Sequence, residues 1–120
     1  MQIDDLFMRH NIEKTIGNEK CFSALFRSNG KIIGLMFASL GNFFFSKSLF
    51  GIESGMFVLP EHRGGRAAIA MYQEFIKWCD KNNAEPFVEI FFSDDDTNEK
   101  TYQFFRKSGL KDCGRMFRRS

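Results

Sequence analysis

Apolar residues follow two rhythms along this chain. Ala68, Met71, Tyr72, Phe75 and Cys79 recur at three- and four-residue steps, with Ile69 and Ile76 widening the stripe. Gln73, Glu74, Lys77 and Asp80 occupy the other side. That spacing predicts an amphipathic helix from about Arg66 to Lys81, left at Asn82 and Asn83. A looser set, Ile3, Leu6, Phe7, Ile12 and Ile16, predicts a first helix. Between them "KCFSALFRSNGKIIGLMFASL" reads as a hairpin, because Asn29 and Gly30 tolerate the positive φ of a tight turn between apolar runs. A third strand is expected over Ile52 to Leu59, stopped by Pro60.

After the long helix, "PFVEIFF" is a nearly continuous apolar run, as in a strand covered on both faces. "SDDDTNEKTYQFFRKSGL" pairs Asp96 with Glu99 in the manner of a capping box and predicts a helix to about Lys107, ended by Gly109. A short strand around "CGRMFRR" closes the chain. The expected order is helix, three strands, helix, strand, helix, strand, in one domain over 1–120.

Sixteen phenylalanines among 120 residues imply an aromatic core. On one strand, alternation would send Phe44 to the face opposite Phe43 and Phe45, so both faces are covered there or one ring meets a ligand or partner. Seventeen basic and fifteen acidic residues leave a net charge of +2, which argues against a general nucleic-acid binder. The basic residues do gather at Arg63 and Arg66, and again at Arg115, Arg118 and Arg119. Cys21, Cys79 and Cys113 are odd in number and far apart, and neither they nor His10 and His62 have metal-ligand spacing. Reduced thiols and no metal are expected. The opening residues lack a signal-peptide pattern and no apolar run reaches membrane-spanning length, so a soluble cytoplasmic protein is expected.

One stretch, Val58 to Ala68, carries chemistry. A strand ends, a short loop turns, and a helix begins among Gly64, Gly65, Ala67 and Ala68. First-turn helix amides lack internal partners and sit at the positive end of the dipole, so they attract anions. Small residues let a phosphate approach, and Arg63 and Arg66 add charge, which together predict a phosphate or pyrophosphate site. The plain alternative is a tight turn with solvated arginines. The P-loop ending and the dinucleotide glycine pattern are both missing.

"FVLPEHRGGRAAIAMYQEFIKWC" resembles the acetyl-CoA-binding segment of the GNAT superfamily of N-acetyltransferases. There a strand ending V-x-P leads into R/Q-x-x-G-x-G/A and a long helix. Val58 and Pro60 match the strand end, Arg63 the first position and Ala68 the last, whereas Arg66 stands where a glycine is usual. "PEHRGGRAA" is similar to forms associated with phage-encoded members. A second motif of the family, N-x-x-A-x-x-x-Y-x-x-x-G-F, matches in spacing at Asn98, Thr101, Phe105, Gly109 and Leu110, with Phe105 in the tyrosine's place. The resemblance spans roughly residues 20 to 117, is strongest from 56 to 81, and leaves a shortened N-terminal part.

The resemblance implies an α/β fold with a mixed, mostly antiparallel central sheet flanked by helices. It implies acetyl-CoA as cosubstrate and a primary amine of a small molecule or protein as acceptor. Phe57, Val58, Arg63, Gly64, Gly65, Arg66, Ala67, Ala68, Asn98 and Phe105 would contact the coenzyme, with an amide at Phe57 or Val58 polarising the carbonyl. Glu53 resembles the glutamate that some members use as base, and Glu89, amid apolar residues, is the next candidate. Tyr102 is the substitute acid, with a packing tyrosine as its alternative. Asp94 to Asp96 would draw a cationic amine, or cap a helix. The competing function is a catalytically impaired GNAT-fold module that binds a protein partner, with a homodimer covering Phe43 to Phe45. Nucleic-acid binding by the arginine tail is a third reading, which the near-balanced charge disfavours.

Overall fold

The computed structural model contains α1 (Asp5–Thr15), β1 (Cys21–Ser28), β2 (Lys31–Gly41), β3 (Phe50–Val58), α2 (Ala67–Lys81), β4 (Glu85–Phe87) and α3 (Asp95–Lys107), with a 3-10 turn at Pro60–His62. It describes residues 4–64, 66–89, 95–114 and 119, excluding the side chains of Met8 and of 95–98. The chain forms two compact units, Met1–Glu89 and Ile90–Ser120.

In the first unit the strands lie in the order β1-β2-β3-β4. The first three are antiparallel neighbours, and β4 runs parallel to β3. The expected hairpin forms because Asn29 and Gly30 take φ values of 52° and 77°, the left-handed pair that a two-residue turn requires. A parallel neighbour needs a crossover, and α2 supplies it. Met71, Tyr72, Phe75 and Cys79 of α2 are buried against the sheet, as the spacing predicts, and Ala67 joins them in place of Ala68. Phe22 of β1 meets Phe75 edge-on at 5.9 Å and Trp78 at 5.4 Å. Each large side chain so buried contributes about 1.5–3 kcal/mol, more than any helix-propensity difference in the segment.

α1 forms where its spacing places it, capped by Asp4, whose Oδ1 accepts from the Phe7 amide at 3.0 Å. Its apolar stripe is not a core face, however: Leu6, Phe7 and Ile16 are largely exposed. A hydrophobic rhythm defines a face without supplying what covers it.

Phe43 to Phe45 do not alternate along a strand. β2 ends at Gly41, and Asn42 closes the following loop by donating from Nδ2 to the carbonyls of Lys47 and Ser48 at 3.0 and 2.7 Å. The turn sends Phe43 onto Phe50 and Phe87, with ring centroids at 4.9 and 5.3 Å. Phe44 and Phe45 stay exposed.

One expectation is shortened, and two others fall largely outside the described residues. "PFVEIFF" was expected to be a strand throughout, yet β4 covers Glu85–Phe87 only; Val88 and Glu89 are outside any strand, and 90–92 lie outside the described residues. α3 is described from Asp95, so Asp96 falls within its first turn, and its capping side chain lies outside the described residues. Cys113 and Gly114 are not in a strand, while 115–118, the centre of the expected last strand, lie outside the described residues. No helix among the described residues is long and apolar enough to cross a membrane.

Candidate active site

β3 carries one residue more than its partner can match. Phe37 and Ala38 of β2 pair with Gly55 and Glu53, which leaves Ser54 as a β-bulge. In a regular strand Glu53 would share a face with Gly55 and Phe57. The extra residue breaks that alternation: Glu53 stays on the side of Gly51, over which α2 lies, while Gly55 and Phe57 take the other. Just beyond, the pairing of β3 with β4 stops at Ile52 and Phe87.

The Glu53 carboxyl occupies that parting. Its Oε1 accepts from the Tyr72 hydroxyl of α2 at 3.4 Å, and its Oε2 accepts from the Glu89 amide at 3.4 Å. The side chain thus stands where the next rung of the ladder would have been. Burial pushes its pKa up from 4.5 to about 7, only partly opposed by these hydrogen bonds. Burial also pushes the Tyr72 phenol far above its ordinary range, so it holds its proton at every physiological pH. Glu89, the second candidate base, contributes its backbone; its residue is exposed rather than enclosed in an apolar strand.

Downstream, the Leu59 amide donates to the Ile33 carbonyl at 2.9 Å. With the register of Phe57 opposite Leu35, alternation turns the Phe57 amide toward β2 and the Met56 and Val58 amides away from it. Of the two positions expected to polarise a carbonyl, only Val58 has its N–H on the side where β3 parts from β4. The Val58 carbonyl accepts from Arg63 Nε at 2.9 Å, and the guanidinium lies 5.7 Å from the Phe57 ring centre. Arg63 is therefore folded back against the strand that its loop leaves.

Gly64 adopts φ 79°, and Gly65 lies outside the described residues. Arg66 is exposed and is the N-cap of α2, its carbonyl accepting from the Ala70 amide at 2.9 Å. Among the described residues no side chain caps this end, and the first turn has no acidic residue. An uncapped, positively biased helix end flanked by two arginines suits an anion. Ala67 is buried, so its small size also serves packing, while Ala68 is half-buried.

In the second unit, α3 carries Asn98, Tyr102 and Phe105. The Asn98 side chain lies outside the described residues. Phe105 is buried, beside Phe104 at 5.7 Å. The Tyr102 hydroxyl donates to Asp112 Oδ2 at 2.7 Å, which pushes its pKa up, with Arg106 over the ring at 5.0 Å. No group of three or more potential metal ligands occurs among the described residues.

Sequence reasoning missed Tyr72 and the Met56 amide. Tyr72 was counted as one more core residue of the α2 stripe, although a buried tyrosine needs a partner for its hydroxyl.

The model of the acetyltransferase (GNAT) family matches residues 3–110. The chain belongs to the GNAT acetyltransferase family. Comparison with curated proteins gave no sequence match. Among solved structures, aminoglycoside antibiotic 6'-N-acetyltransferase AAC(6')-IG of Acinetobacter haemolyticus is similar, with a TM-score of 0.72 at 16% identity, over 100% of this chain and 83% of the other. AAC(6')-Iy in complex with the bisubstrate analogue CoA-S-monomethyl-acetylneamine gives 0.73 at 18% identity, over 98% and 80%. Glucosamine-6-phosphate N-acetyltransferase of Arabidopsis thaliana gives 0.71 at 11% identity, over 99% and 80%. At these identities the likeness establishes a shared GNAT fold.

Proposed function

We propose that this GNAT protein moves an acetyl group from acetyl-CoA to a primary amine, with Glu53 as the base. The observation that carries this reading is the parting of β3 from β4 beyond Ile52 and Phe87, with the Glu53 carboxyl inside it. The coenzyme pyrophosphate takes the α2 amide end with Arg63 and Arg66, over the backbone of Gly64, Gly65, Ala67 and Ala68. Its pantetheine arm follows β3 past Phe57 and Val58. Five residues of strand, about 16 Å, separate Glu53 from Val58, so one ligand touches both ends only if it is long and extended. Asn98 and Phe105 are assigned to the coenzyme through the family motif.

In the reaction, Glu53 takes a proton from the acceptor ammonium, and the free amine attacks the thioester carbon. The new C–N bond forms as the carbonyl electrons move to oxygen, where the Met56 N–H, on the open side of β3 and nearer to Glu53 than Val58 is, receives the charge. Collapse of that intermediate breaks C–S, and the nitrogen's second proton passes to the departing thiolate, which leaves a neutral amide and free thiol. Tyr102 is the candidate acid, but its proton is held by Asp112, so a Tyr102→Phe change is expected to slow turnover by less than about tenfold.

Several similar structures are acetyltransferases of aminoglycosides or of glucosamine 6-phosphate, and these amino sugars head the acceptor screen. Calorimetry with acetyl-CoA, followed by thiol release across amino sugars, polyamines and peptide amines, tests the proposal. No coenzyme binding at high micromolar concentration would remove it. The exposed Phe44 and Phe45 support a second reading, a non-catalytic module acting through a protein partner; turnover lost on mutating Glu53 counts against that.

A further inference from the structure

Among the described residues the Tyr72 hydroxyl faces two acceptors. It lies 3.4 Å from Oε1 of Glu53 and 3.5 Å from the main-chain oxygen of Glu89. The residue is only 1% exposed, so its hydroxyl pairs within the protein rather than with bulk water. A phenol has one proton to donate and an oxygen that also accepts. With Glu53 ionised, that proton goes to Oε1. With Glu53 protonated at Oε1, the carboxyl O–H donates to the phenol oxygen, and the phenol proton swings to the Glu89 carbonyl. Both states keep the pairing complete through rotation of one hydroxyl. Among the described residues these contacts are all long, so none of them locks the carboxyl in its charged form.

We propose that Tyr72 is the positioning residue of this site, holding Glu53 hydrogen-bonded in both of its protonation states while the acceptor's proton is received and passed on. The proposal rests on the assignment of Glu53 as base, and it concerns a residue that the coenzyme motifs do not include. The geometry is specific to this pair. Ala38 of β2, opposite Glu53, is apolar, and α2 presents Tyr72 as the ionisable group in contact. Glu89 adds a carboxylate whose charge opposes ionisation of Glu53. Cys79, toward Gly51, is held as a neutral thiol by burial.

Carbon-13 NMR of the protein labelled at glutamate carboxyl and tyrosine Cζ positions reads the link directly. The Glu53 carboxyl is expected to titrate near neutrality, with the Tyr72 Cζ resonance following the same midpoint. In Tyr72→Phe, which keeps the ring, the ionised carboxylate loses its donor, and Glu53 should bind its proton roughly three- to tenfold more tightly. The acidic limb of kcat/KM should move up by the same amount, with acetyl-CoA affinity unchanged. A Glu53 midpoint unmoved in Tyr72→Phe would overturn the proposal. So would a Tyr72 resonance indifferent to the Glu53 titration in the unaltered protein, which decides the matter even if the variant does not fold. Full turnover by Glu53→Gln would instead remove the base assignment alone and leave the measured Tyr72 link standing.

Discussion

Gly51 of β3 leaves the space that Cys79 of α2 fills. A Cβ at residue 51 would run into the Cys79 sulfur, with a Trp78 ring atom at 3.3 Å and a Phe75 ring atom at 3.6 Å closing the other sides. Gly51→Ala is therefore expected to cost about 1–3 kcal/mol in urea or thermal unfolding. Gly34→Ala provides the contrast. There the nearest obstacle is the terminal methyl of Met71 at 2.9 Å, the free end of a flexible chain, and the expected loss is below about 1 kcal/mol. Equal losses would show that helix-to-strand distance is not what limits residue 51.

The three thiols should react in a set order. Cys113 is exposed, Cys21 half-buried and Cys79 buried, with burial pushing the Cys79 pKa up to about 11. Access follows that ranking, and burial further limits the thiolate at Cys79. Mass spectrometry after timed alkylation should find Cys113 modified first and Cys79 only under unfolding conditions. Early labelling of Cys79 would mean that α2 opens from the sheet in the native state.

Glu53→Gln should lower turnover about 100-fold or more, with coenzyme binding retained. Activity of the unaltered protein should rise with pH through about 7 as the carboxyl loses its proton. Stability should run the other way. The folded pKa lies above the unfolded one, so the folded state binds the extra proton between pH 4.5 and about 7. Across that window stability falls as pH rises, by about 1.4 kcal/mol per pH decade at most. Glu53→Gln should remove this slope, making the variant the more stable protein at pH 8 and its equal near pH 4. Parallel melting curves across the window check the sign.

Arg63 and Arg66 should differ in how they tolerate lysine. Arg63 uses Nε to hold the Val58 carbonyl, a directed bond that an ammonium does not reproduce. Arg66 is exposed and caps α2 through its backbone. Arg66→Lys should bind acetyl-CoA within about threefold of the original, Arg63→Lys about tenfold more weakly, and the double alanine variant about 100-fold more weakly. Calorimetry at two salt concentrations separates the charge component from the clamp.

Much of this site was legible where a local rule decides structure. Asn29-Gly30 set the hairpin, and the apolar steps of α2 placed its buried face. Val58-x-Pro60 followed by small residues and arginines marked the anion-binding end. Other features depend on tertiary pairing. Nothing local to Ser54 announces a bulge, so the separation of Glu53 from the face of Gly55 and Phe57 was beyond reach. Val88 and Glu89 are outside any strand, although "PFVEIFF" has the composition of a longer one. Phe43 to Phe45 misled because alternation was applied past the end of β2. Tyr72 was hidden by its company, since methionines and phenylalanines around it made an apolar reading sufficient.

The bulge at Ser54 makes β3 two strands of different length at once. β2 meets eight residues in unbroken succession, from Phe50 to Val58 with Ser54 passed over. The opposite border carries all nine, and β4 pairs with Phe50, Gly51 and Ile52 among them. The antiparallel ladder therefore keeps its sequence of partners while the other border of the strand is thrown out of step. Deleting Ser54 would leave Glu53 facing α2 and bring Gly55 and Phe57 round to its face. One residue, whatever its side chain, thus decides which side chains of β3 stand beside the carboxyl.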